Sequence, residues 1–255
     1  MRVLLKWLGS ISLIVMYILG ACVIWALPAG SRLRRALLLK NTALFAGLML
    51  GLLGIRISLG RRGRLPKKTG HTLIVANHVS YIDVLVIASL VPAVFITSME
   101  LGGTLFLGML ARLGGSLFVE RRKVAGLKKE IAEISRVLRE GHPVVLFPEG
   151  TTSNGERVHP FRNALFDAAI TADADILPLC LRYTSLNGEA LTPENRDWIF
   201  YHGGAKFSRH FPRLLSIASA EVEVLPLPII RVNKRDSRKR LAALAHDAIG
   251  GAYRG

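Results

Sequence analysis

Seven consecutive residues, Asn77-His78-Val79-Ser80-Tyr81-Ile82-Asp83, set a base five positions ahead of a carboxylate. A histidine with one ring nitrogen held by a carboxylate keeps the other free to take a proton. Imidazole, with an ordinary pKa of about 6.5, suits that work near neutral pH. Within one continuous helix five residues turn about 140°, so the pair meets only if His78 stands outside the helix that carries Asp83. The neighbouring sequence offers this arrangement. Residues 72–76, Thr-Leu-Ile-Val-Ala, read as a buried strand, residues 84–88 as a helix, and Ser80 to Asp83 has the capping-box spacing of a helix start. The same residues also fit a plain helix cap at Asp83 with His78 in a loop, and spacing does not separate the two.

Two more turns that follow apolar runs are chemically loaded. Residues 116–119 lead into Glu120-Arg121-Arg122-Lys123, which reads either as an anion site or as a solvated basic turn. Residues 144–147 lead into Pro148-Glu149-Gly150-Thr151-Thr152-Ser153-Asn154-Gly155, where glycines let backbone amides approach a ligand and Glu149 can accept from hydroxyls. Turns beyond the carboxyl ends of strands are where α/β sheets gather their sites.

The elements that must carry these turns form an α/β pattern: a mainly parallel sheet flanked by helices, with an N-terminal two-helix membrane-anchoring segment. Strands are expected at 93–97, 116–119, 144–147, at 176–183 broken by Pro178, and at 221–225, which alternates strictly. Helices are expected at 161–172 and 236–248. The clearest lies between them, where Leu127, Ile131, Ile134 and Leu138 make an apolar stripe that Gly141 and Pro143 end. Residues 7–27 are uncharged and almost wholly apolar, long enough to cross a bilayer, and 42–55 form a second, shorter apolar segment. Basic residues flank both segments, so a hairpin dipping into one leaflet fits as well as two spans. Gly47, Gly51 and Gly54 either let the two segments pack closely or simply belong to an apolar helix. The domains expected are a membrane-anchoring hairpin at 1–60 and a catalytic domain at 61–255.

Composition limits the partners. Hydrophobic residues make up 51% of 255, yet 34 Lys and Arg against 18 Asp and Glu leave a net charge of +16. A chain both apolar and basic suits an anionic membrane surface rather than nucleic acid, whose binding modules interleave basic residues with stacking aromatics. Cys22 and Cys180 are far apart, and the remaining histidines lack metal-ligand spacing, so neither a disulfide framework nor a metal site is expected.

Taken in order, the loaded turns resemble the glycerophosphate and lysophospholipid acyltransferase family. Its first block, Asn-His-x-x-x-x-Asp, stands at Asn77 to Asp83; its second at Gly115, Phe118 and Arg121; its third, Phe-Pro-Glu-Gly-Thr, at Phe147 to Thr151; and its fourth at Pro178 within an apolar strand. The resemblance covers about residues 72–183. It implies a membrane-bound enzyme, its active site facing the cytoplasm, that transfers an acyl chain from acyl-CoA or acyl-carrier protein to the free hydroxyl of 1-acylglycerol-3-phosphate, giving phosphatidic acid. By similarity His78 is the base and Asp83 holds it. Arg121 binds the acceptor phosphate, Glu149 and Gly150 fix the glycerol portion, and Asn77 and Thr151 line the substrate site. No bound cofactor or metal is implied; the partners are membrane lipids, the lysolipid acceptor and acyl-carrier protein. One position departs from the pattern. Members acting on lysophosphatidic acid commonly carry arginine where Thr152 stands, and relatives that acylate lyso-ornithine lipids resemble this chain in having threonine. Arg157 and Arg162 lie near enough in sequence to replace that charge. A non-catalytic basic adaptor would be expected to show a broken first or third block, and both are intact here.

Overall fold

A computed structural model describes residues 1–60, 65–66, 69–120 and 126–254; Arg121, Arg122 and Lys123 lie outside the described residues. The chain opens with helices α1 (Arg2–Ala26) and α2 (Ser31–Leu53). Helix α1 stops at Leu27, which is extended as a residue before proline prefers to be. Close approach of the two helices uses glycines other than 47, 51 and 54. A Cβ on Gly9 would meet Leu52 at 2.9 Å and one on Gly20 would meet Asn41 at 2.7 Å, whereas Gly51 faces open space. Gly54 ends α2 with φ +80°, and a Cβ there would sit 2.4 Å from the Ala218 carbonyl oxygen. Only glycine tolerates both that dihedral and that approach.

Both ends of the hairpin are tied to the rest of the molecule. At one end Lys6, 7% exposed, donates to the carbonyls of Leu53 (2.6 Å) and Ile217 (2.9 Å), and Arg2 donates to Ser216. At the other, Arg35 lies 3.8 Å from Glu140. The outward side of α1, including Leu4, Leu8, Ile11, Val15, Leu19 and Val23, is exposed.

The remaining elements are β1 (Ile55–Leu59), β2 (Thr72–Ala76), α3 (Ile82–Leu90), β3 (Val94–Ser98), α4 (Met99–Gly102), α5 (Leu105–Leu113), β4 (Leu117–Val119), α6 (Leu127–Arg139), β5 (Val144–Leu146), α7 (Asp167–Ala172), β6 (Asp175–Leu186), β7 (Glu189–Ala190), α8 (Phe207–Ser216), β8 (Ala220–Pro226) and α9 (Arg238–Arg254). The sheet order is β1-β8-β6-β2-β5-β3-β4, with β7 paired to β6. Neighbours run parallel except β6 with β8 and β6 with β7. Alternate residues of the central strands feed two cores. Ile74, Ala76, Leu177 and Leu179 join the α2, α3 and α8 side, while Leu73, Val75 and Ile176 join the α6, α7 and α9 side. Burial on both faces explains why 72–76 is an unbroken apolar run rather than an alternating one.

Three expectations change. Strand β6 runs through Pro178 unbroken. The Pro178 carbonyl accepts from Leu227 N on the β8 side, so its nitrogen points the same way, just beyond the first ladder pair Leu179–Pro226, and the β2 ladder loses no donor. Residues 161–163 are not helical; a short 3-10 turn at Ala164–Phe166 leads into α7. Ile55–Leu59, at the end of the 1–60 segment expected as a helical hairpin, is an edge strand in register with Ala220–Val224.

Candidate active site

Strand β2 ends at Ala76, and the side chain of Asn77 then continues its ladder. Asn77 Nδ2 donates to the Leu181 carbonyl (3.0 Å) and its Oδ1 accepts from Leu181 N (2.8 Å). The amide stands in for the backbone groups that β2 withdraws as it turns away. Asn77 is 1% exposed, and this tie to β6, not a ligand, is what its polar atoms touch. Asn77→Ala leaves two buried backbone groups unpaired, at about 1–3 kcal/mol each. Urea unfolding in detergent should show a lower midpoint, corresponding to a total loss of about 2–6 kcal/mol in unfolding free energy.

Freed from the strand, His78 is fixed on four sides. Its N–H donates to Glu149 Oε1 (2.7 Å), its carbonyl accepts from Ser153 N (2.9 Å), and its ring stacks on Phe147 at 4.0 Å. Its Nδ1 lies 2.9 Å from Asp83 Oδ2. Nε2 makes no hydrogen bond among the described residues, and the side chain is 17% exposed.

Asp83 is wholly buried at the start of α3. Besides His78 Nδ1, its Oδ2 accepts from the backbone N–H groups of Val79 (2.7 Å) and Ser80 (2.9 Å). The Ser80 bond is the reciprocal half of a capping box; the Ser80 hydroxyl donates to the Ile199 carbonyl and accepts from Ile82 N (3.3 Å) rather than from Asp83 N. Cap and base-holder are therefore one carboxylate. Its second oxygen, Oδ1, accepts from Tyr183 Oη at 2.7 Å. Burial, reinforced by the charge on Asp83, holds the Tyr183 phenol well above its ordinary value, so its hydroxyl remains a donor. Four donors on one buried carboxylate fix its position and offset the cost of burying its charge.

Glu149, 5% exposed, bridges two segments: Oε1 accepts from His78 N and Oε2 from His159 N (2.8 Å). Both oxygens are occupied by backbone. Burial pushes its carboxyl up to about 7, against the pull of the two N–H groups and with a further push from Asp83. The folded chain thus holds this proton more tightly than the unfolded chain, whose ordinary value is 4.5. Glu149's contribution to stability is full below that value and is lost as pH rises through about 7. Between those limits the wild type should lose about 3 kcal/mol relative to Glu149→Gln, read as urea midpoints at stepped pH.

Gly150, at φ +76°, brings the turn against Arg162, whose Nε would be 3.0 Å from a Cβ there. Thr151 is exposed. Thr152 and Arg157 line one cavity of about 520 Å³, together with Ser153, His159 and His202. Of the two arginines near the departing position, Arg157 therefore shares a cavity with Thr152 and Arg162 packs over Gly150. Tyr183 is the residue that sequence reasoning missed: it lies 100 positions from Asp83, and no local spacing marks it. Among the described residues no group of three His, Cys, Asp or Glu side chains is arranged to hold a metal ion. The arrangement offers a partly exposed imidazole backed by a buried charge, and the turn that lines the cavity is tied to it through Ser153 N on the His78 carbonyl. It can take a proton from a hydroxyl.

Comparison with known proteins agrees with that chemistry. The family model described as Acyltransferase matches residues 59–182. Over 200 residues the chain is 32% identical to the lyso-ornithine lipid O-acyltransferase of Rhizobium meliloti, covering 76% of this chain and 68% of the relative. It is also 32% identical over 141 residues to the 1-acyl-sn-glycerol-3-phosphate acyltransferase of Neisseria meningitidis, covering 55% and 54%. The crystal structure of the 1-acyl-sn-glycerophosphate acyltransferase PlsC from Thermotoga maritima shares the fold with a TM-score of 0.68 at 18% identity, over 99% of this chain and 93% of that one.

Proposed function

The chain belongs to the lysophospholipid acyltransferase family, and from that premise we propose that it acylates the free hydroxyl of a membrane lysolipid by direct attack on an acyl thioester. His78 Nε2 takes the hydroxyl proton as the oxygen bonds to the thioester carbonyl carbon. The carbon–sulfur bond then breaks, and the thiolate leaves and regains a proton. Asp83 fixes the ring so that Nδ1 carries hydrogen, and its charge steadies the imidazolium that forms. The observation that carries this reading is the 2.9 Å contact from His78 Nδ1 to a buried carboxylate, with Nε2 making no hydrogen bond among the described residues. Acyl-CoA and acyl-carrier protein both supply the thioester this step needs.

The acceptor has two readings. One is 1-acylglycerol-3-phosphate, giving phosphatidic acid, with Arg121 on its phosphate. The other is a lyso-ornithine lipid, favoured by Thr152 and by the greater span of the Rhizobium meliloti match. Purified protein offered both lysolipids, each with acyl-CoA and with acyl-carrier protein, tests this by mass spectrometry of the products. Product from lysophosphatidate alone would exclude the amino-lipid reading, and no product from any pairing would exclude the function.

The apolar helices and the lipid-acylating relatives point to membrane association. Ties at both ends of the α1–α2 hairpin support an anchor lying along one leaflet; the family resemblance supports a site that faces the cytoplasm. That placement leaves the lysolipid in the bilayer while its hydroxyl reaches His78.

A further inference from the structure

We infer that helices α4 and α5 form a second membrane-inserted element beside α1, their occupant being the hydrocarbon edge of a lipid bilayer. The inference rests on the membrane association proposed above and extends it to a segment that is apolar but too short to cross a bilayer.

Leu105 is 95% exposed, Met99 50%, Phe106 41% and Met109 38%. Four large apolar side chains within eleven positions face solvent here, and residues 101–111 carry no charged side chain. The segment is nonetheless a built structure. The Ser98 hydroxyl caps α4 by accepting from Leu101 N, and the Thr104 hydroxyl caps α5 by accepting from Gly108 N. Gly108 lets the two helices meet, since a Cβ there would lie 2.6 Å from the Gly102 carbonyl oxygen. A well-capped helix that turns its largest apolar residues outward is expected where its surroundings are apolar.

Continuity with α1 identifies the surroundings as lipid. Tyr17 of α1 donates to the Leu110 carbonyl of α5 at 3.0 Å, so α5 lies alongside the helix whose outward side exposes Leu4 to Val23. Arg112, in the last turn of α5, folds its guanidinium back over Phe118 at 5.3 Å, which keeps the one cation of this helix off its apolar tip. Inward, Phe106 approaches Phe207 at 6.4 Å and Phe207 approaches Tyr81 at 5.3 Å. Tyr81 is three residues from His78. An aromatic path thus runs from the exposed side of α5 toward the base, along the route a lipid entering from the bilayer would take.

The test is a dye placed at position 105. Leu105→Cys in a Cys22→Ser background is labelled with nitrobenzoxadiazole; Cys180, fully buried, is inaccessible in the folded chain. The labelled full-length protein is added to vesicles of phosphatidylcholine and phosphatidylglycerol at three to one, with and without nitroxide-labelled lipid. We expect a several-fold rise in emission that nitroxide lipid quenches, matching the response of the same dye on Cys22 of α1. Dye on Leu244→Cys, on the opposite side of the sheet, should not respond. A response at Cys22 without one at 105 overturns this inference and leaves the anchor intact. Silence at both positions overturns the anchor and this inference together. Brightening at 105 that needs no vesicles and resists nitroxide lipid means a protein surface covers α5, which also overturns it.

Discussion

His78→Ala should lower acyl transfer about 100- to 10,000-fold, the range that a positioned base contributes, while leaving the fold in place. The asymmetry follows from what holds the residue. Its backbone N–H and carbonyl keep their bonds to Glu149 and Ser153 whatever the side chain, so the turn survives. What disappears is the stacked ring and its Nε2. The measurement is labelled acyl-chain incorporation into lysolipid in reconstituted vesicles, with an unchanged urea midpoint as the control for folding. Full activity in the variant would exclude the base mechanism.

Asp83 gives the second large effect, and two replacements separate its two jobs. In Asp83→Asn the side-chain oxygen can still accept from His78, Val79 and Ser80, and Tyr183 can turn its hydroxyl to accept from the amide. The start of α3 therefore holds, but no charge backs the imidazolium. The expected loss is on the order of 10,000-fold in kcat, as when the orienting carboxylate of a serine-protease triad becomes an amide, with little change in stability. Asp83→Ala should lose the same activity and also unpair two buried N–H groups, lowering stability by roughly 2–6 kcal/mol. Tyr183→Phe is the graded member of the series. Losing one donor leaves more negative charge facing His78, so the acid limb of the kcat/KM profile should move to higher pH with KM little changed. A unit-for-unit fall in stability with an unmoved profile would make Tyr183 purely structural.

The parts of this design that could be read from the chain are those whose cause is local. The strand at 72–76 announces itself because both its sides are buried, and the helix at Leu127–Arg139 because one side is wet. Spacing limits His78 and Asp83 to meeting across one turn, since five residues within a helix cannot meet, but it leaves a plain helix cap equally open, and the resemblance to the family's blocks chooses between them. What stayed hidden depends on partners distant in sequence. Whether Pro178 breaks a strand depends on which way its nitrogen points, and the neighbour that decides it is β8. Strand β1 was lost in the apolar run it follows, since its only mark is pairing with residues 165 positions away. Helix α8 carries a regular stripe, Phe207, His210, Phe211, Leu214 and Leu215, but Pro212 within it and the basic residues between hide a helix that α1 and the sheet stabilise. Asn77 has the family's position, but that its amide completes a ladder is visible only once Leu181 is beside it.

The tie between Lys6 and Ile217 spans 211 positions, and the edge strand that follows the hairpin pairs with a strand that begins only at Ala220. A chain emerging from the ribosome presents α1 and α2 before the segments they bond, and they cannot complete their contacts until residue 217 has been synthesised. High contact order of this kind slows folding. Until Ser216 and Ile217 arrive, Arg2 and Lys6 lack the carbonyls they donate to there, and the row of hydrogen-bonding groups along Ile55–Leu59 is open. A nascent chain held at a bilayer is shielded during that wait; one released early, or truncated before residue 220, would expose an unpaired strand beside two greasy helices, a combination that favours aggregation.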